Sequence, residues 1–474
     1  MRLAVVGGGI AGLAAAWEGL AQGAEVTVLE ASERLGGKIQ TETDAGRVVE
    51  HGPDSFVAYR PGALTLIKEL GLADQVISTQ GTRKVQLRTR GRLYPLPDGM
   101  GMVLPTRLGP FVTTGILTPA DKLRAGLDLV LPRLLTSDDI AIGDFLGRRL
   151  GRGIVRKFAD PMIGGIYGSS VDELSLDAVL PSLRVNEREH RSLMIASLAQ
   201  GRAARRQLRS TGAATVTPGA GSPFRTLSGG LGQLVDALSD ALVARAAVLR
   251  TGVGVRALEL TPGGTRLTLH SEFLDADAVV LATGPAGAAR LLAGPAPDAS
   301  AALAEIPLAS TTVVTLAYAA GAFPGPLTSH GWLEAGAAPV SGITISSAKW
   351  AGRAPDGEVL IRAFIPDRVG PIARAADAEL LPAVRAHVEG VLKATAAPLG
   401  TWITRWDGVM PKYTVGHLRR VATVEAALEP TPWRVAGSAL HGVGVPDCIS
   451  DGRAQAQAAL SVAGRRSGAP SRST

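Results

Sequence analysis

The first thirty residues constrain this chain more than any other stretch. A short apolar run at 3–6 is followed by GGGIAG, then by alanine-rich helix-forming sequence, and then by a second apolar run at 25–29 that ends on an acid. Gly7, Gly9 and Gly12, in the run Gly7, Gly8, Gly9, Ile10, Ala11, Gly12, fit G-x-G-x-x-G. The first glycine allows the tight turn, the second lets backbone approach a pyrophosphate, and the third lets the helix pack close to the strand. The pyrophosphate would lie on the helix N-terminus, where N–H groups and the dipole favour negative charge. Glu30 falls 18 residues after Gly12. There its carboxylate can accept from both ribose hydroxyls and would repel a 2′-phosphate, which disfavours NADP. The reading is a dinucleotide-binding β–α–β unit.

Only two strands appear by residue 50, so later segments must complete the sheet. Two offer strands: 246–285, which contains VVLATGP, and 433–464. The last segment reads as a short strand, a GVGVP loop and a helix from about Ile449 whose N-terminus could face the cofactor. Between these pieces, residues of about 100–200 show apolar spacing of three and four and read as helices. Residues of about 290–405 alternate and read as antiparallel strands. The expected domains are nucleotide-binding at 1–60, 211–289 and 406–464, sheet at 61–99 and 290–405, and helical at 100–210. A disordered tail is expected at 465–474.

Composition narrows the partners. The 474 residues are 46% hydrophobic, enough for a large core, and carry 49 Lys and Arg against 42 Asp and Glu, a formal charge of +7. The basic cluster at 201–210 reads as a loop, the run at 210–223 as a flexible connector, and no cluster interleaves aromatics as a single-strand nucleic-acid groove would. No nucleic-acid partner is expected. Cys448 is the single cysteine, which excludes an intrachain disulfide and cysteine-rich zinc sites, so no metal is expected and a reducing compartment fits. The first apolar run lacks a signal-peptide pattern and the run at 306–326 reads as a strand. A cytoplasmic location is expected, with a peripheral contact at the inner face of the cell membrane left open.

After Glu30 the sequence reads ASERLGGKIQT, and Ala31, Arg34, Gly36, Gly37, Lys38 and Thr41 fill the pattern E-A-x-x-R-x-G-G-[RK]-x-x-T. This resembles the extended fingerprint of FAD-dependent amine oxidases and their relatives. The resemblance implies FAD, with the second glycine turn beneath the flavin end and Lys38 bordering the flavin. Four further segments resemble protoporphyrinogen and coproporphyrinogen oxidases: VEHGPDSF (49–56), FADPMIGGIYGSSVDELSL (158–176), MPKYTVGHL (410–418) and GVGVPDCISDG (442–452).

That resemblance implies an α/β fold: a discontinuous Rossmann-like FAD-binding domain with an antiparallel-sheet substrate domain and a helical insertion domain. It implies oxidation of a porphyrinogen to a porphyrin in haem biosynthesis. Six hydrogens are removed in three flavin cycles, with molecular oxygen as acceptor and hydrogen peroxide as product; a ferrochelatase is the downstream partner. Further FAD contacts implied are Gly52, Pro53, Asp54, Ser55, Val253, Val255, Trp406, Gly437, Val443, Gly444 and Val445, with Val253 or Val255 beside the adenine. No catalytic protein base is assigned, because the cofactor carries the hydride chemistry and no acid-base triad is recognisable. His417 and His441 read as hydrogen-bonded structural histidines.

Propionates need cations. Arg60, Arg83, Lys84, Arg88, Arg90 and Arg92 lie where the family places its substrate entrance, and Arg60 and Lys84 are the candidates to pair with propionates. Gly168 and Tyr167, with Gly164 and Gly165, offer one flat wall for the macrocycle. LYPLPDGMGMVLPT at 93–106 resembles the bacterial branch and favours coproporphyrinogen III over protoporphyrinogen IX. Two alternatives stay open: an amine oxidase or carotenoid desaturase, for which Trp402, Trp406 and Tyr413 would have to supply an aromatic cage, and a non-catalytic FAD- or anion-binding protein.

Overall fold

Alternate residues of the first strand, β1 (Arg2–Val6), point to opposite faces of a sheet, and all from Leu3 onward are buried. Burial on both faces marks a parallel sheet covered on each side. The computed structural model, which describes residues 1–81, 85–101, 103–136, 138–210 and 222–466, shows that sheet. With β2 (Glu25–Leu29), β3 (Val248–Arg250), β4 (Ala278–Leu281) and β5 (Trp433–Val435), β1 forms a sheet of order β3-β2-β1-β4-β5 in which every pairing is parallel. Leu3, Val5, Val26, Val28 and Val280 enter one core with the helix α1 (Ile10–Ala21). Ala4, Val6, Leu29, Val279 and Leu281 enter a second, beneath the helices Pro285–Leu292, Pro297–Ala304 and His417–Leu428 and an antiparallel meander at 257–276. The period of two decides which core each side chain joins.

Helix α1 is buried from Ile10 to Gly19, which is why its sequence is apolar on every side apart from Glu18. Much of that cover is α2 (Val445–Arg466). The two helices approach so closely that a Cβ on Gly452 would sit 2.1 Å from the carbonyl oxygen of Ala11. A polar latch fixes the register. Arg453 donates to Glu18 at 2.9 Å and to both oxygens of Glu69 at 2.9 and 3.0 Å, and the Trp17 indole donates to Glu69 at 2.8 Å. Glu69 ends the helix Gly62–Glu69, so residues after 60 stay with the nucleotide-binding unit.

That unit comprises Met1–Ile77, Pro223–Pro307 and the described residues from Leu418 onward. Two local expectations change. The last helix starts at Val445 and not near Ile449, because Pro446 is tolerated in a first turn and Asp447 there complements the helix dipole. Residues 201–210 are the end of a helix, Leu193–Ser210, and not a loop. Ser192 Oγ accepts from the Ile195 N–H at 3.2 Å near its start, and the Ala, Arg, Gln and Leu that follow are strong helix formers. Of the expected tail, Arg465 and Arg466 end α2 while 467–474 lie outside the described residues, as do 211–221 of the expected connector.

The second unit comprises the described parts of Ser78–Ser222 and Leu308–His417. Its seven-stranded sheet runs, in spatial order, Gly400–Pro411, Leu308–Ala319, Glu358–Pro366, Gly342–Ile345, Gly331–Glu334, Val85–Thr89 and Arg92–Pro95. Only the Gly331–Glu334 pairing with Val85–Thr89 is parallel. The helical segment belongs to this unit, since Leu87 of the sheet shares a core with Phe111, Phe145 and Phe158. The expected helix across 155–164 is a π-helix, Val155–Gly164, with Pro161 inside it.

The α1–α2 contact generates a stability prediction. Gly452→Ala forces a methyl onto a backbone carbonyl that cannot yield, so it should cost about 1–3 kcal/mol of stability. Denaturant unfolding of the purified variant checks this; wild-type stability would show that the helices can separate without loss.

Candidate functional site

The N-terminus of α1 is built by glycines that serve three different needs. Gly7 has φ +110°, its N–H donates to Leu29 O at 2.8 Å, and a Cβ on it would lie 2.6 Å from Ala282 O. Gly12 is tighter still, with a would-be Cβ 1.9 Å from Gly7 O, so the helix start is pressed against the strand end. Gly9 differs. It has φ −71°, which any residue adopts, and its would-be Cβ meets nothing nearer than Gly37 Cα at 3.9 Å. The space over Gly9 is therefore open, beside a helix N-terminus that has no capping side chain and no acid in its first turn. Such a terminus presents unsatisfied N–H groups and positive potential to an anion.

Glu30 stands at the end of β2 with its carboxylate already oriented. One oxygen accepts from the Gly8 N–H at 2.6 Å, and the other accepts from the Ser32 N–H and hydroxyl at 2.9 and 2.7 Å. A carboxylate has about four acceptor positions, so capacity remains for a ribose hydroxyl. Val253 lies beside it, donating its N–H to Glu30 O at 2.8 Å, and Val255 is buried two residues on. Ala31 is exposed in the same turn.

The second glycine turn folds back onto the first. Gly36 N donates to Gly8 O at 2.8 Å, and Gly36 and Gly37 have φ of +99° and +57°. Arg34 spans this turn, donating to Gly37 O at 2.6 Å and Leu35 O at 3.2 Å. Its guanidinium thus braces the loop, a structural job in addition to any cofactor contact. Thr41 is a hinge pin. Its hydroxyl donates to Glu50 at 2.6 Å and accepts from the Gly232 N–H at 2.7 Å. Lys38 donates to the Ser438 hydroxyl at 3.2 Å, and burial pulls its ammonium below the usual lysine range.

The C-terminal segment closes the cradle. Gly437, with φ +106°, brings its would-be Cβ 3.4 Å from the Ala11 methyl, and its N–H donates to Asp451 at 2.7 Å. Asp451 also faces His441 Nδ1 at 2.9 Å, while His441 Nε2 faces Glu425 at 3.0 Å. With both ring nitrogens against carboxylate oxygens, the geometry suits the doubly protonated ring, and the hydrogen bond to Asp451, followed by the charges of Asp451 and Glu425, raises the His441 pKa. Val443 and Gly444 form the turn before Val445, Gly444 O accepting from the Cys448 N–H at 2.9 Å. The N-terminus of α2 is not an open anion site like that of α1. Asp447 occupies its first turn, and the Arg60 guanidinium is paired with Asp447. Arg60, expected to meet a propionate, has this partner instead of a free charge. Cys448 is buried, which pushes its thiol up to about 12 and removes it as a nucleophile at neutral pH.

Gly52, Pro53, Asp54 and Ser55 form a half-buried irregular stretch in the same unit, the Ser55 hydroxyl donating to Asp54 at 2.7 Å. The remaining expected residues lie in the second unit. Gly168 has φ +62° and caps the turn Gly165–Tyr167, and its would-be Cβ lies 3.4 Å from the Ala309 methyl. Tyr167 packs against Tyr413 with ring centroids 5.7 Å apart, and Tyr413 stacks on buried His417 at 3.9 Å. Trp406 sits opposite Thr311 on the long strand Gly400–Pro411. Arg88 is paired with Glu334 at 3.3 Å, Arg90 is exposed and donates to the neutral Gly115 O at 2.5 Å, and Arg92 is exposed. Arg83 and Lys84 lie outside the described residues. Three residues that sequence reading missed do positioning work: Ser32 orients Glu30, Asp451 holds the Gly437 turn, and Ser438 meets Lys38. Ser32, two residues beyond an acid, was the one with a local signal.

A dinucleotide fits the first unit: an uncapped helix N-terminus, an open space over Gly9, an oriented carboxylate at the ribose position and a second glycine turn alongside. Among the described residues no group of three His, Cys, Asp or Glu could hold a metal. Gly9→Ala should leave the apoprotein folded, because φ and contacts allow it, yet weaken FAD binding by roughly tenfold or more, since the methyl enters the pyrophosphate cradle. Flavin absorbance per chain and apoprotein melting temperature test the two halves separately. A second prediction follows from His441. Its folded pKa lies above the ordinary value of 6.5, so its contribution is full below that value and is lost as pH rises through the folded pKa. The melting-temperature gap between wild type and His441→Gln should therefore be wider at about pH 6 than at about pH 9; an equal gap would assign His441 to packing alone.

Comparison with known proteins agrees with this cradle. Residues 10–460 match the family described as flavin containing amine oxidoreductase. A protein of Propionibacterium freudenreichii subsp. freudenreichii named coproporphyrinogen III oxidase is 58% identical over 485 residues, covering 98% of this chain and 91% of the relative. One of Bacillus subtilis (strain 168) with the same name is 32% identical over 475 residues, covering 97% and 98%. A solved structure from Exiguobacterium sp. 255-15, described as a "Putative protoporphyrinogen oxidase", superposes with TM-score 0.83 at 29% identity, covering 97% of this chain and 99% of that one. The helix-borne glycine cradle, the oriented Glu30 and these matches together establish that the chain belongs to the flavin containing amine oxidoreductase family.

Proposed function

We propose that this protein is an FAD-dependent porphyrinogen oxidase of haem biosynthesis, with coproporphyrinogen III favoured over protoporphyrinogen IX. The observation that carries the reading is 58% identity, over 98% of the chain, to a protein named coproporphyrinogen III oxidase. FAD when bound supplies a two-electron acceptor that molecular oxygen reoxidises with release of peroxide, so the six-electron oxidation takes three rounds. The chain's own work is to bind, orient and exclude water. The N-terminus of α1 takes the pyrophosphate, Glu30 the ribose, and the turns at Gly37 and Gly437 flank the remainder.

No side chain needs to serve as a base in this reading, because the pyrrole N–H protons are released as the ring is oxidised. The candidates support that. Cys448 is held as a thiol, and His417 is fully buried and stacked on Tyr413. The same stack argues against the aromatic cage of an amine oxidase, since Tyr413 is only 2% exposed. A peripheral membrane contact is supported by exposed apolar side chains on one stretch, Leu123 at 76% and Val130 at 70%. Among the described residues no helix is long and apolar enough to cross a membrane.

The test mixes flavin-loaded protein with coproporphyrinogen III, or with protoporphyrinogen IX, under air while porphyrin fluorescence and peroxide are followed together. Turnover of the first with a kcat/KM exceeding that of the second is expected. Turnover of neither above its autoxidation rate would sink the reading, and oxidation of a polyamine in their place would install the alternative.

A further inference from the structure

Arg368 in the second unit is held on one side only. It lies in the turn Asp367–Val369, directly after the strand Glu358–Pro366, and its Nη1 donates to Asp160 Oδ2 at 2.8 Å. Its other two nitrogens, Nε and Nη2, are buried and have no hydrogen-bond partner among the described residues. Those two atoms form one edge of the planar guanidinium, the parallel donor pair whose spacing matches the two oxygens of a carboxylate. A buried charged donor edge left unmade is costly, and bracing Asp160 alone does not require it: a lysine could do that with one contact.

The surroundings keep that edge from being used internally. Asp160 is fixed by two more donors, the Ser170 hydroxyl at 3.2 Å and the Val171 N–H at 3.1 Å, so its carboxylate cannot swing round to cap the fork. The glycine-rich turn gives the guanidinium room. A Cβ on Gly164 would lie 3.6 Å from Arg368 Cζ, and a Cβ on Gly165 would meet nothing within 4 Å. The side chain keeps 19% of its surface accessible and is tethered at a single nitrogen, so a small rotation can present the edge to a ligand. The segment beneath it is the π-helix Val155–Gly164, a form that recurs at functional positions.

We propose that the Nε/Nη2 edge of Arg368 binds a carboxylate of the substrate, making Arg368 a specificity-determining residue. The inference rests on the porphyrinogen reading, in which the ligand is a macrocycle carrying propionates. It explains why an arginine stands against the glycine turn, and it adds a cation outside the cluster at 60–92.

Arg368→Lys and Arg368→Gln test it in the holoenzyme. The lysine variant keeps the positive charge and a contact to Asp160 but loses the fork. KM for coproporphyrinogen III and the Kd of coproporphyrin III, read by fluorescence quenching, should each rise roughly tenfold in both variants. Flavin content and kcat should stay within about twofold of wild type, a split that a bracing role does not produce. If the glutamine variant fails to fold, the lysine variant carries the test. Wild-type turnover with KM and Kd unchanged in a flavin-loaded Arg368→Lys protein overturns this inference alone. Absence of wild-type turnover overturns the function reading and this inference with it.

Discussion

Everything in the first unit depends on backbone meeting backbone at the start of α1. A Cβ on Gly12 would lie 1.9 Å from Gly7 O, a distance at which no side chain can exist. That contact lets the helix begin directly over the end of β1, so its N–H groups face outward above the sheet and not into a loop. A second contact of the same kind, Gly452 on Ala11 O, seats α2 against α1 and brings the Gly437 turn to the same place. Three segments remote in sequence thus converge on one helix end, held by packing that only glycine permits.

The parts of this arrangement that were legible in the sequence are those governed by short-range rules. The glycine spacing, the strand–helix–strand order and the acid at Glu30 each follow from local geometry, and all three take the expected places. The parallel pairing of β1 and β2 follows from that order, because a helix between two strands returns the chain in the same direction. Polar positioning was not legible. Asp451 sits one and a half turns inside α2, and nothing in ISDGR says that its carboxylate will reach back to the Gly437 N–H. Arg34 reads as a cofactor ligand, and nothing in ERLGG says that it also donates to the carbonyls of its own loop. A motif tells which residue types a site uses; it does not tell which of them support the others.

The second unit shows a different limit. Val155, Phe158, Ala159 and Ile163 have the spacing of an apolar helix face, and over so few turns that spacing does not separate an α-helix from a π-helix. Pro161 is the physical cause that the pattern concealed. It lacks an N–H and crowds the preceding turn, so the ladder widens where an ordinary helix would break. The interrupted composition of 160–168, three glycines and a proline, is therefore consistent with one continuous helical path to Gly168. There the chain turns in the left-handed region, with Tyr167 packed on Tyr413.

The two long helices that meet at the cradle differ in charge at their N-termini, and the difference assigns their roles. α1 begins with no acid and no capping side chain, so its positive end is available to an outside anion. α2 begins with Asp447, whose charge answers the dipole and is itself answered by Arg60. One helix end is thus reserved for a ligand's negative charge while the other is neutralised within the protein. Lys38, drawn below the usual lysine range by burial, faces the Ser438 hydroxyl near Cys448, whose thiol burial pushes up to about 12. A dinucleotide, with its charge concentrated at the pyrophosphate, matches the one helix end that is left open to an anion.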